Sequence, residues 1–504
     1  MRVRAWRAAV LVAVACASVI AAGVSAAAAP VVRSFHPVSG TVGTVPPRVV
    51  LSPRTGPPTS TVTVSGAGFG AHRAVDIYFD TKDKALAATS GKGTFSGIEI
   101  RVPASAAPGM HYITAVQRHS GLSAQAPFLV NTNWAQFRYS NANTGFNPYE
   151  NVLSRFNVAR LRPDWISPNG SFFSSPVVAN GVVYIGGLFA LKASTGAELW
   201  TSGIACEFSS AAVSHGVVYF GSNDRNVYAL NASTGAKLWS FSTGNTIFSS
   251  PTVANGVVYI GSESGALYAL EASTGAELWS FGVGDEVDSS PAVVNGVVYV
   301  GSNDGNVYAL NAATGAQLWS FPAGGYISSP AVANGVVYIG SFHAGQVFAL
   351  NAATGAKLWS FPTGGGVSSS PAVANGVVYI GGGDHTVYAL NAATGAKLWS
   401  FPTGDIINSS PAVANGVVYI GSNDGNIYAL NASTGAELWR YTTPDVVGIS
   451  PAVANGVLYA GSEDGQIYAF SLPGGVAITH RPTLQQLHPN YGLRSQHSGS
   501  VTHR

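Results

Sequence analysis

The sequence predicts an all-β protein, an eight-bladed β-propeller preceded by a small β-sandwich. Three observations carry that prediction. A unit of about 40 residues recurs through the last two-thirds of the chain, as in SSPAVVNGVVYVGSNDGNVYALNAATGAQLW from Ser289 to Trp319. Each unit breaks into short apolar runs separated by glycine turns. The two ends of the array are complementary, because the last unit lacks a strand and the first is preceded by a spare one.

In chain order, residues 1–29 have the form of a cleaved secretory signal: a basic start, an apolar run and small residues from Ser25 to Ala28. A lipoprotein leader using Cys16 is the alternative, although Ala13-Val14-Ala15 matches the usual box poorly. The leader predicts a secreted or cell-envelope protein, and no later segment is apolar enough for a membrane span. Residues 30–47, rich in Pro, Val, Gly and Thr, form a linker. Residues 48–132 hold seven short strand-like runs with turn residues between them, the count and spacing of an immunoglobulin-like sandwich. Within them, VSGAGFG and VDIYFD resemble bacterial Ig-like modules, which implies a spacer or docking role.

The propeller is expected over residues 133–471, opening with an irregular lead-in that ends at Trp165. In the fourth full unit, strands are predicted at Ser290–Val294, Val297–Ser302, Asn306–Asn311 and Ala316–Phe321. Asn295-Gly296 and Asp304-Gly305 supply the positive φ angles of tight hairpins. One such meander has two apolar faces, and stacking the units radially buries both. Eight VVY-type strands face only seven following tryptophan strands. The missing one is predicted at Leu161–Ile166, where Trp165 would complete the last blade and close the ring. Residues 472–504 are polar and read as a flexible tail.

The segment Ala309-Leu310-Asn311-Ala312-Ala313-Thr314-Gly315-Ala316-Gln317-Leu318-Trp319 resembles the tryptophan-docking motif of quinoprotein (PQQ-like) eight-bladed propellers. The resemblance implies that Trp165, Trp200, Trp239, Trp279, Trp319, Trp359, Trp399 and Trp439 wedge between blades. The motif's aspartate is replaced by Asn at 231, 311, 351, 391 and 431, by Glu271 and by Lys192. A large flat aromatic needs a small flat partner, which Ala and Thr-Gly provide. The motif is structural and does not by itself imply an activity.

Charge and chemistry bound the function. Without the leader's Arg2, Arg4 and Arg7, 22 basic residues face 23 acidic ones, so no basic field favours nucleic acid. Only Cys16 and Cys206 occur. The mature chain therefore has no cysteine pair, and Cys206 is expected to be a small core residue. Family dehydrogenases hold pyrroloquinoline quinone (PQQ) over calcium, often beside paired cysteines, which are missing here. Asn303-Asp304-Gly305 and Asn423-Asp424-Gly425 lack the further carboxylates of a calcium loop and read as turns. His343 and His385 read as solvated loop residues.

The units differ mostly in the connection after each tryptophan strand and in the hairpin between the second and third strands. Both emerge on one face of a meander, giving one varied and one monotonous face. A ligand-facing rim is expected on the varied face: Phe173, Glu207, Phe208, Phe248, Asp285, Asp288, Tyr326, Asp405, Asn408 and Asp445, with Phe172 alongside. This mix suits an envelope or extracellular protein, a peptide or a glycan. The expected function is a non-catalytic binding scaffold without catalytic, metal or cofactor residues. A quinoprotein oxidoreductase using PQQ with calcium is one alternative and a ligand-free rigid spacer is the other.

Overall fold

The computed structural model describes residues 46–168, 173–186, 189–474 and 481–487. The leader with Cys16, the linker up to residue 45, Phe172 and most of the tail lie outside them. The described residues are almost entirely β, with one 3₁₀ turn, Val158–Arg160, and one short helix, Leu484–Leu487. Among them no helix is long and apolar enough to cross a membrane.

The repeats are four-stranded antiparallel meanders, joined in chain order. The fourth consists of Ala292–Val294, Val297–Gly301, Asn306–Asn311 and Gln317–Pro322. The first strand is shorter than predicted, because Ser289 and Ser290 leave the ladder for other partners described below. Asn295 and Gly296 take φ of 50° and 78°, the left-handed pair that a tight hairpin requires. The apolar strand Val297–Gly301 is buried on both faces, since each sheet is covered by two neighbours. Tyr299, Ala309 and Trp319 of this sheet pack against Val337, Ile339 and Leu350 of the next.

The tryptophans sit between sheets as the motif implies. Trp279 Nε1 and the Tyr259 hydroxyl both donate to the Ala312 carbonyl of the following repeat, at 3.0 and 3.1 Å. The indole lies over Gly315, whose Cβ, if it had one, would stand 2.8 Å from the ring. The same seat recurs under Trp165, Trp200, Trp239, Trp319, Trp359 and Trp399. Trp439 is an exception to the expected set. The last repeat has no Thr-Gly turn, and Trp439 instead meets Phe470 edge-on, ring centres 5.0 Å apart.

The two ends of the array meet in one sheet. Strand Arg162–Ser167 pairs with Ile467–Ser471, while Trp165 donates to Ala193 of the first repeat at 2.8 Å. The first strands of successive sheets neighbour one another in turn, and Ala452–Ala454 of the last neighbours Val177–Ala179 of the first. This arrangement is a β-propeller.

Ahead of it, Arg48–Ser52, Thr61–Ala67 and Phe95–Arg101 form one sheet. Thr55–Gly56, Ser123–Val130, Gly109–Gln117, Ala74–Phe79 and Lys82–Ala88 form a second. Both bury their inner faces in one core, with Val62, Val64 and Ile100 against Ile77, Phe79, Ile113 and Phe128. The seven expected runs are all strands. The two-residue Thr55–Gly56, parallel to Ser123–Val130, is additional and too short to show a period.

His111 in this module is 3% exposed. Its Nδ1 faces the Asp80 carboxylate and its Nε2 the Ala107 carbonyl, both at 2.7 Å. Only an imidazolium donates to both. Burial works against the charge, but the Asp80 and Ala107 bonds outweigh it and hold the pKa above 6.5. A folded-state pKa raised above the unfolded value stabilises fully below the unfolded pKa, and the gain disappears as pH rises through the folded one. The melting temperature of the wild type is therefore expected to fall as pH rises above 6.5, and His111→Gln to remove most of that slope. An unchanged slope in His111→Gln would refute the assignment.

Candidate functional site

The short inner strands turn backbone N–H groups toward the propeller axis, and buried donors need partners. The lead-in supplies them. Ala135 accepts from Val213 and Asn141 from Val293, while Ala142, Thr144 and Gly145 accept from Val332, Val373 and Val413, at 2.6–2.8 Å. Trp134 pairs with Val178, and Phe146–Asn147 runs parallel to Ala412–Ala414. Asn147 donates its amide to the Val453 carbonyl at 2.8 Å. This lacing lies toward the Asn-Gly turns, where Thr132 and Asn455 also bond to each other.

Arg138 points inward from the lace and is 3% exposed. Nη1 donates to the Pro411 carbonyl at 2.7 Å and Nη2 to the Pro371 carbonyl. Burial pulls the guanidinium down to about 9, which leaves it charged at neutral pH. Asn143 donates to the Pro291 carbonyl at 3.0 Å. The axis is thus filled at this end by the chain's own residues.

Toward the varied face the wall is a girdle of serines. Ser175, Ser210, Ser250, Ser290, Ser329, Ser370 and Ser410 each donate the backbone N–H to the equivalent hydroxyl of the next repeat, at 2.9–3.1 Å. In six repeats the serine just before it holds its own sheet, as Ser289 accepts from Gly301 at 3.1 Å. The residue preceding that position, which is Ile449 in the last repeat, stands at the mouth. In order it is Phe173, Phe208, Phe248, Asp288, then, after a repeat whose connection is one residue shorter, Ser368, Asn408 and Gly448.

The expected rim therefore separates into groups. Phe173, Phe208, Phe248, Asp288 and Asn408 share this position and are half-buried. Phe173 stacks on Phe208 at 4.9 Å, and Phe208 meets Phe248 edge-on at 4.2 Å. Asp285, Asp405 and Asp445 are exposed and accept the N–H of the following residue at 2.7–2.9 Å, so they cap their own turns. Glu207 is exposed. Glu463, beside Asp445, is held above the usual carboxylate range by burial and then by that charge. Tyr326 makes a separate group, edge-on to His343 at 5.3 Å. His343 is exposed but also contacts Phe342, so it is packed on two rings as well as solvated. His385 lies 3.9 Å from Asp405.

Asp288 has company that the sequence did not reveal. Oxygens of Glu263, Glu286 and Asp288 lie within 4.8 Å of one another, and Asn303 donates to Glu286 at 3.2 Å and to Asp288 at 2.9 Å. Such a corner attracts a hard cation or an organic one. The turn aspartates behave as expected. Asp304 accepts from the Tyr308 hydroxyl at 2.6 Å and from the Asn306 N–H at 2.9 Å. Burial would raise its pKa, but these bonds hold it below the usual range. Cys206 is buried and donates Sγ–H toward the Gly221 and Ser209 carbonyls, and burial pushes its thiol well up.

A family model described as outer membrane protein assembly factor BamB matches residues 147–250, 242–328, 322–405 and 383–501. The chain belongs to the BamB family. No curated protein matches it. BamB from Moraxella catarrhalis is 21% identical, with 62% of this chain and 99% of that chain covered and a TM-score of 0.52. A quinohemoprotein alcohol dehydrogenase from Pseudomonas putida HK5 is 18% identical over 70% of this chain and 82% of that one, TM-score 0.58. A computationally designed protein, Ika8, is 21% identical over 60% and 96%, TM-score 0.55. At these identities the likeness is one of fold.

The dehydrogenase likeness raises PQQ, a planar quinone carrying three carboxylates. In this BamB-family chain the described mouth residues do not suit it. The acidic corner around Asp288 would repel the quinone's carboxylates, and the rim position offers Phe, Ser, Asn and Gly in place of basic side chains. The lace was the feature missed from the sequence. Its signal is a non-repeating stretch of Arg, Asn, Thr and Gly set immediately before a closed array.

Proposed function

We propose that this chain is an exported, non-catalytic propeller scaffold that binds another envelope or extracellular component at its varied face. The ring is read as eight blades over residues 133–471, closed by the strand carrying Trp165. The module at 48–132 is read as an Ig-like spacer, and residues 1–29 as the cleaved export signal. The two-sided character of the axis carries the reading. One end is filled by residues 134–147, which leaves the face with Phe173, Phe208, Phe248 and Asp288 to meet a partner. Membership of the BamB family, described by an envelope assembly factor, supports a role in holding proteins together.

The oxidoreductase reading is testable directly. Purified protein mixed with PQQ and calcium is expected to show no shift in quinone absorbance and no alcohol-dependent dye reduction. Turnover that requires both additions would overturn the scaffold reading.

A further inference from the structure

We propose that the varied face takes an extended basic peptide segment of a partner protein. An Arg or Lys side chain is held at the Glu263–Glu286–Asp288 corner, and flanking apolar residues lie along Phe173, Phe208 and Phe248. This rests on the scaffold reading and names the chemistry of its partner.

The mouth position shows the asymmetry. In the repeats opposite, it carries Ser368, Asn408 and Gly448, which need no company. In three successive repeats it carries phenylalanine, and the rings touch one another in a row while remaining half-buried. A row of partly wet rings across three blades is longer than a metal ion or a single ammonium group needs. It gives an extended peptide a continuous apolar track and offers ring faces to a cation.

The next position in order after Phe248 is Asp288, which decides the charge of the occupant. Three carboxylates meet there around one amide donor, Asn303. A planar guanidinium can bridge two carboxylates, which a neutral glycan cannot exploit even though sugars stack on aromatic rings. The lace closes the opposite end of the axis, so the segment lies across the mouth and does not thread through.

The test uses the full mature chain and two fluorescein-labelled hexapeptides, Trp-Arg-Pro-Trp-Arg-Pro and its analogue with citrulline at both arginine positions, followed by anisotropy. The arginine peptide is expected to bind at least about tenfold more tightly than the citrulline peptide. A loss of similar size is expected for Asp288→Asn combined with Glu263→Gln, and for Phe208→Ala. Asp405→Asn combined with Asp445→Asn, at the exposed turns, should bind as the wild type does. Phe208→Leu, which keeps apolar volume without the ring, separates loss of aromatic contact from misfolding, with the melting temperature as control. Equal binding of both peptides, no binding of either, or equal loss in the Asp405/Asp445 variant would overturn the proposal. Peptide failure without PQQ turnover removes only the basic-segment assignment, whereas PQQ turnover removes the scaffold reading itself.

Discussion

Trp165→Ala is expected to cost about 3–5 kcal/mol of unfolding free energy and to open the propeller at one seam. Trp165 is 9% exposed, donates to the Ala193 carbonyl at 2.8 Å and covers Gly196. Its ring also packs against Tyr459 of the last sheet, 6.0 Å between centres. Truncating Trp279 removes a similar seat, but its strand Glu277–Gly282 is joined to the rest of its sheet by the Thr274-Gly275 turn. Strand Arg162–Ser167 is held to its sheet neighbour Ile467–Ser471 by ladder hydrogen bonds alone, with no hairpin between them. Urea unfolding should therefore show comparable losses for Trp165→Ala and Trp279→Ala. Hydrogen exchange should accelerate at Ile467–Ser471 in the first variant and not in the second. A loss below about 1 kcal/mol for Trp165→Ala would remove the seam from the account.

Gly315→Ala is expected to be far more damaging than Gly296→Ala, although both glycines sit in turns of the same repeat. Their φ angles are 72° and 78°, so each alanine carries the left-handed penalty of roughly 1–2 kcal/mol. A Cβ at Gly296 would have nothing within 4 Å. At Gly315 it would stand 2.8 Å from Cδ2 and Cε3 of Trp279, so the indole must lift from its seat. Displacing a packed ring adds about 1–3 kcal/mol. Denaturant midpoints of the two variants isolate that contribution, and equal midpoints would show that the glycine serves the turn alone.

The parts of the fold that could be read from sequence are those where one residue type has one physical use. Asn295-Gly296 could only be a left-handed hairpin, and the unpaired strand around Trp165 could only complete a sheet that lacked one. The mouth was harder. Asp288 and Asp285 look alike in sequence, yet one joins Glu263 and Glu286 while the other caps its own turn. What separates them is which way the connection carries each side chain, and that depends on the register of two sheets. Ser289 and Ser290 lay in plain view as part of the repeat. Their bonds to Gly301 and to Ser329 depend on tertiary neighbours that no local pattern encodes. The lace was illegible for the same reason, because its partners are spread from Val178 to Val453.

That lace has an evolutionary consequence. Repeats this uniform are prone to gain or lose a copy when their coding segments recombine, and nothing within a blade would object. The fourteen residues from Trp134 to Asn147 make one pass along the inner strands, bonding to all but Thr252–Ala254, and spend a fixed length of chain from the first to the last. An extra copy would stretch that pass, and a missing one would leave slack. The one stretch that does not repeat thus acts as a ruler, tying the number of copies to its own length.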